Sequence, residues 1–168
     1  MGLRDVRKEL ESLEKQAIIH HLLEVYKRFP KVKEYFDFFV NPDEQALLEE
    51  YKRRVHEGFY PARGKRLKLY RSRKAVNDFK KLAISPEAVG ALLLYFTQVA
   101  VMCGRERHVK TEAFYTRIET SFRAALEYLE KNNLLLPFSM DVEDLIGRCE
   151  PFPWNCHVHM ETIRSDFY

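Results

Sequence analysis

Breakers are scarce in this chain: six glycines and seven prolines in 168 residues. That excludes a linker-rich or collagen-like protein and leaves most of the length free for regular structure. Cysteine is scarce too. Three residues at irregular spacing, an odd number, do not make a disulfide framework. The sequence has no glycine loop for cradling phosphate, no nucleophile elbow, no dinucleotide fingerprint and no HExxH pair. Its N-terminus lacks the apolar core of a signal peptide. Gly2 is followed by Val6, where a myristoylation site needs Ser or Thr. The longest uncharged stretch, Ala88 to Gly104, has 17 residues and includes Thr97 and Gln98. It falls short of the roughly 20 apolar residues that span a bilayer. Together these absences predict a soluble protein of a reducing, cytoplasmic compartment, with no membrane contact and no cofactor.

What is present reads as helix. Hydrophobic residues make up 46% and charged residues 32%, which excludes wholesale disorder. The length suits a single domain, 1–168. Ser85, Pro86 and Glu87 form a strong helix start: a cap, a first-turn proline and an acid at the positive helix end. The apolar run behind them is apolar on every face, so it should be buried on every face. Residues 86–103 are therefore expected to be the central helix. Apolar residues recur at helical spacing elsewhere. Leu3, Val6, Leu10 and Leu13 mark a first helix, and Ile18, Leu22, Val25 and Phe29 a second, stopped by Pro30. Val32, Tyr35, Phe36 and Phe39 give a short third, and Asn41-Pro42 starts a fourth that Gly58 ends. A fifth should open at Ser72 or Arg73. A seventh should span 109–131, and a last short one 141–149. Leu134, Leu135, Leu136 and Phe138 are too apolar for an exposed loop and should fold back on the core. The expected fold is all-α: a single-domain bundle of about eight helices, packed as antiparallel hairpins around 86–103. Residues 58–71 form a basic connection. Residues 150–168, with Phe152 and Trp154 between prolines and loose alternation after Cys156, are expected to be an extended aromatic tail.

The segment Lys33-Glu34-Tyr35-Phe36-Asp37-Phe38-Phe39-Val40-Asn41-Pro42 resembles an uncharacterised bacterial family of small helical proteins, one of the domains of unknown function. In that family an aromatic segment ending in Asn-Pro follows an amphipathic helix pair, and a basic stretch comes next. The resemblance covers roughly residues 3 to 85. It implies a helical fold and carries no activity and no catalytic residue across.

The strongest functional signal is charge placement. Lys52 to Lys81 holds twelve Lys or Arg against two acids, a net of +10, and the remaining 16 bases and 23 acids leave −7 elsewhere. Arg63, Lys65, Arg66, Lys68, Arg71, Arg73 and Lys74 crowd into twelve residues, with Tyr60 and Tyr70 beside them. Phosphate oxygens attract such a cluster, and tyrosine rings stack on unpaired bases. The plainer alternative is a solvated basic loop that pairs with the acidic remainder of the molecule or of a partner. A helix-turn-helix across Ile84-Ser85 is disfavoured, because the second helix would bring almost no polar side chain to a major groove. The leading expectation is a non-enzymatic binding protein using 63–74, with an unknown protein or other anionic partner. Nucleic acid held without sequence specificity is the alternative.

A weaker signal lies in the tail, where Cys149, Cys156, His157 and His159 are all metal-ligand types. Their order and the six-residue gap between the cysteines are not standard for zinc. A metal-binding protein or enzyme built on them is a distant third reading. His20, His21 and Glu24 on the second helix, and His108, Glu112, Tyr115 and Glu119 on the seventh, fit ordinary helix surfaces better than a metal site or a catalytic cleft. Cys103 suits a small buried hydrophobe. No catalytic residue is assigned.

Overall fold

The computed structural model describes residues 2–62, 66–82 and 84–168. Among them the protein is all-α, with nine helices and no strand. In chain order these are α1 (Leu3–Glu11), α2 (Lys15–Arg28), α3 (Pro30–Val40), α4 (Glu44–Phe59), α5 (Leu69–Phe79), α6 (Pro86–Glu106), α7 (Glu112–Lys131), α8 (Ser139–Gly147) and α9 (Cys156–Ser165). The backbone groups into two compact units, Met1–Asp43 and Glu44–Tyr168.

The first unit is built on a hairpin of α2 and α3. Phe29 is extended between them, and Pro30 takes the first position of α3, where its missing N–H costs nothing. Asn41 closes α3 instead of capping α4. The Tyr26 hydroxyl donates to Asp37 Oδ1 at 2.6 Å, and Lys33 Nζ bonds Asp37 Oδ2 at 2.7 Å. That pairing holds the Asp37 carboxyl below the usual carboxylate range. No described residue of this unit is buried. Leu22, Leu23 and Val40 flank an apolar groove of about 660 Å³ between the two helices.

The second unit is organised around α6, which packs against α4, α5, α7 and α8. The helix starts as the sequence predicts. Ser85 Oγ accepts from Ala88 N at 3.2 Å, and Ser85 also donates from its own N and Oγ to the Glu44 carboxylate, at 2.8 and 2.6 Å. It ends at Glu106, three residues later than expected. By length and composition α6 would be able to cross a membrane, but two thirds of its most apolar window (67%) is covered by protein. Gly90 sets its approach to α7: a Cβ there would stand 2.7 Å from Leu129 Cδ2. Asn133, in the left-handed region at φ 58°, closes α7, and Leu134 N donates back to Leu129 O at 2.8 Å. Leu134 then turns into the core while Leu136 stays 82% exposed, so that segment folds back only in part.

Several boundaries differ from the sequence reading: α7 opens at Glu112 and not at 109, α8 spans Ser139–Gly147 and not 141–149, and three further differences have a clear cause. Residues 150–168 are not an extended tail. Cys156, Met160 and Ile163 recur at i, i+4 and i+7, a helical stripe, and they are buried on α9 against α7 and α8. Arg123–Asp166 at 2.9 Å and an Arg164–Glu143 ion pair tie its end down. This ninth helix is the one missing from the expected eight. Helix α5 begins at Leu69 and not at Ser72 or Arg73, because Leu69 packs on the core and Ser72, Val76 and Phe79 continue its stripe. Residues 69–71 therefore belong to a helix and not to the connection. Gly58 lies inside α4 and does not end it. A Cβ on Gly58 would overlap the Ser72 hydroxyl and lie 3.0 Å from the Lys68 carbonyl oxygen, so α4 and α5 touch there backbone to side chain.

Candidate anion-binding surface

Helix α5 carries the basic cluster on the face opposite its core stripe. Ser72, Ala75, Val76 and Phe79 are buried, while Arg71, Arg73 and Lys74 face solvent. Ser72 anchors the helix: its hydroxyl donates to Val55 O at 2.7 Å inside the core. Lys68 N donates to Gly58 O at 2.7 Å, which fixes the chain as it enters α5. The first turn of α5 contains no acid. Free N–H groups and basic side chains thus share the positive end of one helix, an arrangement that attracts anions.

Counter-charges are distributed unevenly. On α4, Lys52, Arg53 and Arg54 pair with Glu49, Glu57 and Glu50 at 2.8, 2.6 and 2.5 Å. Lys74 pairs with Asp78 at 3.1 Å. Arg66, Lys68, Arg71 and Arg73 have no acidic partner among the described residues. Arg63 and Lys65 lie outside the described residues.

The two tyrosines divide. Tyr70 is 66% exposed. Its ring lies 5.8 Å from the Arg71 guanidinium carbon, and Arg71 Nε donates to its hydroxyl oxygen at 3.1 Å. That cation holds the Tyr70 phenol below its ordinary range. Tyr60 is already engaged. His56 stacks on it at 4.5 Å, Arg107 lies 5.3 Å from its centroid, and its hydroxyl donates to Glu106 Oε2 at 2.6 Å. Burial, then the Glu106 carboxylate, pushes its phenol up. Of the two, Tyr70 is the one with its ring exposed.

Residues 1–168 match DUF6155, a family of unknown function. The chain belongs to that family. The match takes in the whole chain, where the aromatic Asn-Pro segment reached only the first half. No curated protein and no solved structure matches this DUF6155 chain.

The remaining candidates of the DUF6155 chain are placed as follows. Cys149 and Cys156 are buried free thiols. Cys149 Sγ lies 3.2 Å from Met160 Sδ and 3.4 Å from Leu145 O. A hydrogen bond with Cys156 and burial push its thiol up, the reverse of what a metal ligand or nucleophile needs. His157 faces Glu161 at 3.8 Å, and His159 bonds Glu119 at 3.0 Å. Among the described residues, no three His, Cys, Asp or Glu side chains gather as a metal site would require. Glu24, beside His20 and His21, is taken by Lys27 and Arg28 at 3.4 and 3.5 Å. Of the four residues expected on the seventh helix, His108 stands before α7 in the left-handed region at φ 47°, and Tyr115 is buried with its hydroxyl donating to Val109 O at 2.6 Å, so the four do not share one helix face. Cys103 is fully buried, as a small hydrophobe would be.

Proposed function

We propose that this DUF6155 protein is a non-enzymatic, cytoplasmic binding protein. It holds single-stranded nucleic acid, without sequence preference, on the surface formed by Arg66, Lys68, Arg71 and Arg73 at the start of α5. One observation carries the reading: these four cations have no acidic partner among the described residues, while their neighbours on α4 are paired. A basic loop serving only solubility would gain from the same intramolecular pairs. Cations left unpaired side by side repel each other unless an outside polyanion neutralises them. Tyr70 supplies an exposed ring beside them for one unpaired base. Helix α6 supports readout of charge over sequence, since thirteen of its residues are spent on the core and few polar side chains are left for a groove.

The test is a titration of a short fluorescent single strand at several salt concentrations. Log affinity should fall with log salt by about 0.7 per phosphate contacted. Replacing Arg66, Lys68, Arg71 and Arg73 together by Gln should abolish binding while leaving the circular dichroism unchanged. Absence of binding at low salt would end the reading in favour of an acidic protein partner.

A further inference from the structure

The first unit, Met1–Asp43, has little of its own to hold it together. A unit of about 40 residues needs disulfides, a metal or association with another chain to be stable. All three cysteines lie beyond residue 43, and among the described residues no three metal-ligating side chains gather. None of the unit's described residues is buried. Of the three devices, association is the one its residues allow.

The face available for it is the α2–α3 groove of about 660 Å³. Ile19, Leu22 and Leu23 of α2 and Val40 of α3 line it, and they are between 38% and 79% exposed. A helix hairpin with one apolar face is half of a four-helix bundle. Helix α2, 14 residues long, spans about 21 Å, and two helices side by side about 20 Å. Two such faces together bury on the order of 1,000 Å², the threshold of a specific interface.

Charge selects the occupant. With histidine neutral, residues 1–43 hold eight bases and eight acids, a net of zero. The unit neither repels its own copy nor draws an anionic membrane or a nucleic acid. Within the hairpin the charges are sorted. Residues 24–34, about the turn, carry four bases and two acids, a net of +2. Residues 14–23 and 35–43, toward the open end, carry three acids and one base, a net of −2. Two hairpins laid face to face in opposite directions put each turn over the other's open end, so opposite charges meet twice. Laid in the same direction, like would meet like.

We propose that the α2–α3 face docks on the same face of a second copy of this chain, pointing the opposite way, to form a four-helix bundle about a twofold axis. Leu22 and Leu23 of each copy enter the other's groove, and the Lys31 end of one hairpin lies against the Asp43 end of the other. The proposal is independent of the Arg66–Arg73 surface and of what binds there.

Sedimentation equilibrium of the full chain tests this. At about 100 µM the mass should be near twice the 20.0 kDa of one chain, and it should fall to that value on dilution with a micromolar constant. The double variant Leu22→Asp, Leu23→Asp should be monomeric throughout. Both side chains are exposed, so its circular dichroism should not change. Val6→Asp, on the apolar stripe of α1, should leave the dimer intact. Lys31→Glu puts an acid at the start of α3, where the helix dipole favours it, and should weaken the dimer by about threefold. If the double variant lost helix, Lys31→Glu alone would decide. A monomer at every concentration would overturn the proposal, as would a dimer that survives the double variant, is lost in Val6→Asp or is strengthened by Lys31→Glu. Monomeric protein that co-sediments with phosphatidylcholine vesicles, and ceases to in the double variant, would assign the face to a membrane instead.

Discussion

Tyr60 and Tyr70 are chemically identical and structurally opposite. Tyr60 has its hydroxyl on Glu106 and its ring beside His56 and Arg107. Tyr70 stands in solvent beside Arg71. Substitution should separate them. Tyr60→Phe removes the hydrogen bond to the Glu106 carboxylate and should lower unfolding stability by about 1–3 kcal/mol in a urea titration, with oligonucleotide affinity intact. Tyr70→Ala should leave stability unchanged and weaken the single strand by the value of one stacked base, about 1–3 kcal/mol. The reverse pattern would move the binding surface to Tyr60. In the sequence the two residues looked equivalent, because Tyr60 stands just before the basic run and Tyr70 within it. What distinguishes them comes from residues 46 positions away and from the start of α5, and neither is local information.

At the scale of elements, helices with a clear stripe or a clear cap were legible. The Ser85-Pro86-Glu87 start, the α7 stripe from Phe114 to Leu129 and the Asn132-Asn133 stop all stand where the sequence puts them. The helix hidden by its company was not. Proline at 151 and 153 and the alternation after Cys156 suggest an extended chain, and the stripe of Cys156, Met160 and Ile163 is only three residues long. It becomes decisive once α7 and α8 supply a surface to bury it. Leu69 was obscured in the same way, as one apolar residue among bases. Of the candidate surface, the charge excess was readable, and the i,i+4 spacing of Arg53–Glu57 and Arg54–Glu50 on α4 was there to be read as pairing; the start of α5 at Leu69, which places Arg71 on a helix, was not. The elements also differ in how firmly they are held. Helices α1, α2 and α3 bury no residue, whereas α6 buries thirteen. Amide exchange in the dilute monomer should follow that order, with α1–α3 exchanging near the rate of local fraying and α6 and the middle of α7 only on global unfolding. Hydrogen-exchange mass spectrometry resolves this by peptide. Equal protection in the two sets would mean that the apolar face of the α2–α3 hairpin is covered.

Over the whole molecule, the thiols and phenols with a shift move upward, Tyr70 excepted. Burial pushes up the Cys103 thiol and the phenols of Tyr60, Tyr95, Tyr115, Tyr128 and Tyr168, and a bond to Cys156 together with burial pushes up Cys149. Each folded pKa lies above its unfolded value. In the window between the two, the native state holds more protons than the unfolded state, so stability falls as pH rises. The contribution is complete below about pH 9, where free thiols begin to ionise, and is lost progressively above it. Lys80 and Tyr70, both lowered, act in the opposite sense and are outnumbered. Melting temperature should hold steady from neutral pH to about 9 and then drop. A level curve into strong alkali would contradict the burial of these groups.

The same scale gives Gly58 a meaning beyond packing. Its bare Cα lets the Ser72 hydroxyl sit against α4, and Ser72 lies near the start of the helix that carries Arg71, Arg73 and Lys74. That contact sets the rotational phase of α5. A side chain at 58 would turn the helix about its axis, and a shift of one residue amounts to about 100°. Every cation on α5 would then aim elsewhere, although none had been replaced. The direction of the charged face is thus encoded by an uncharged residue on a different helix.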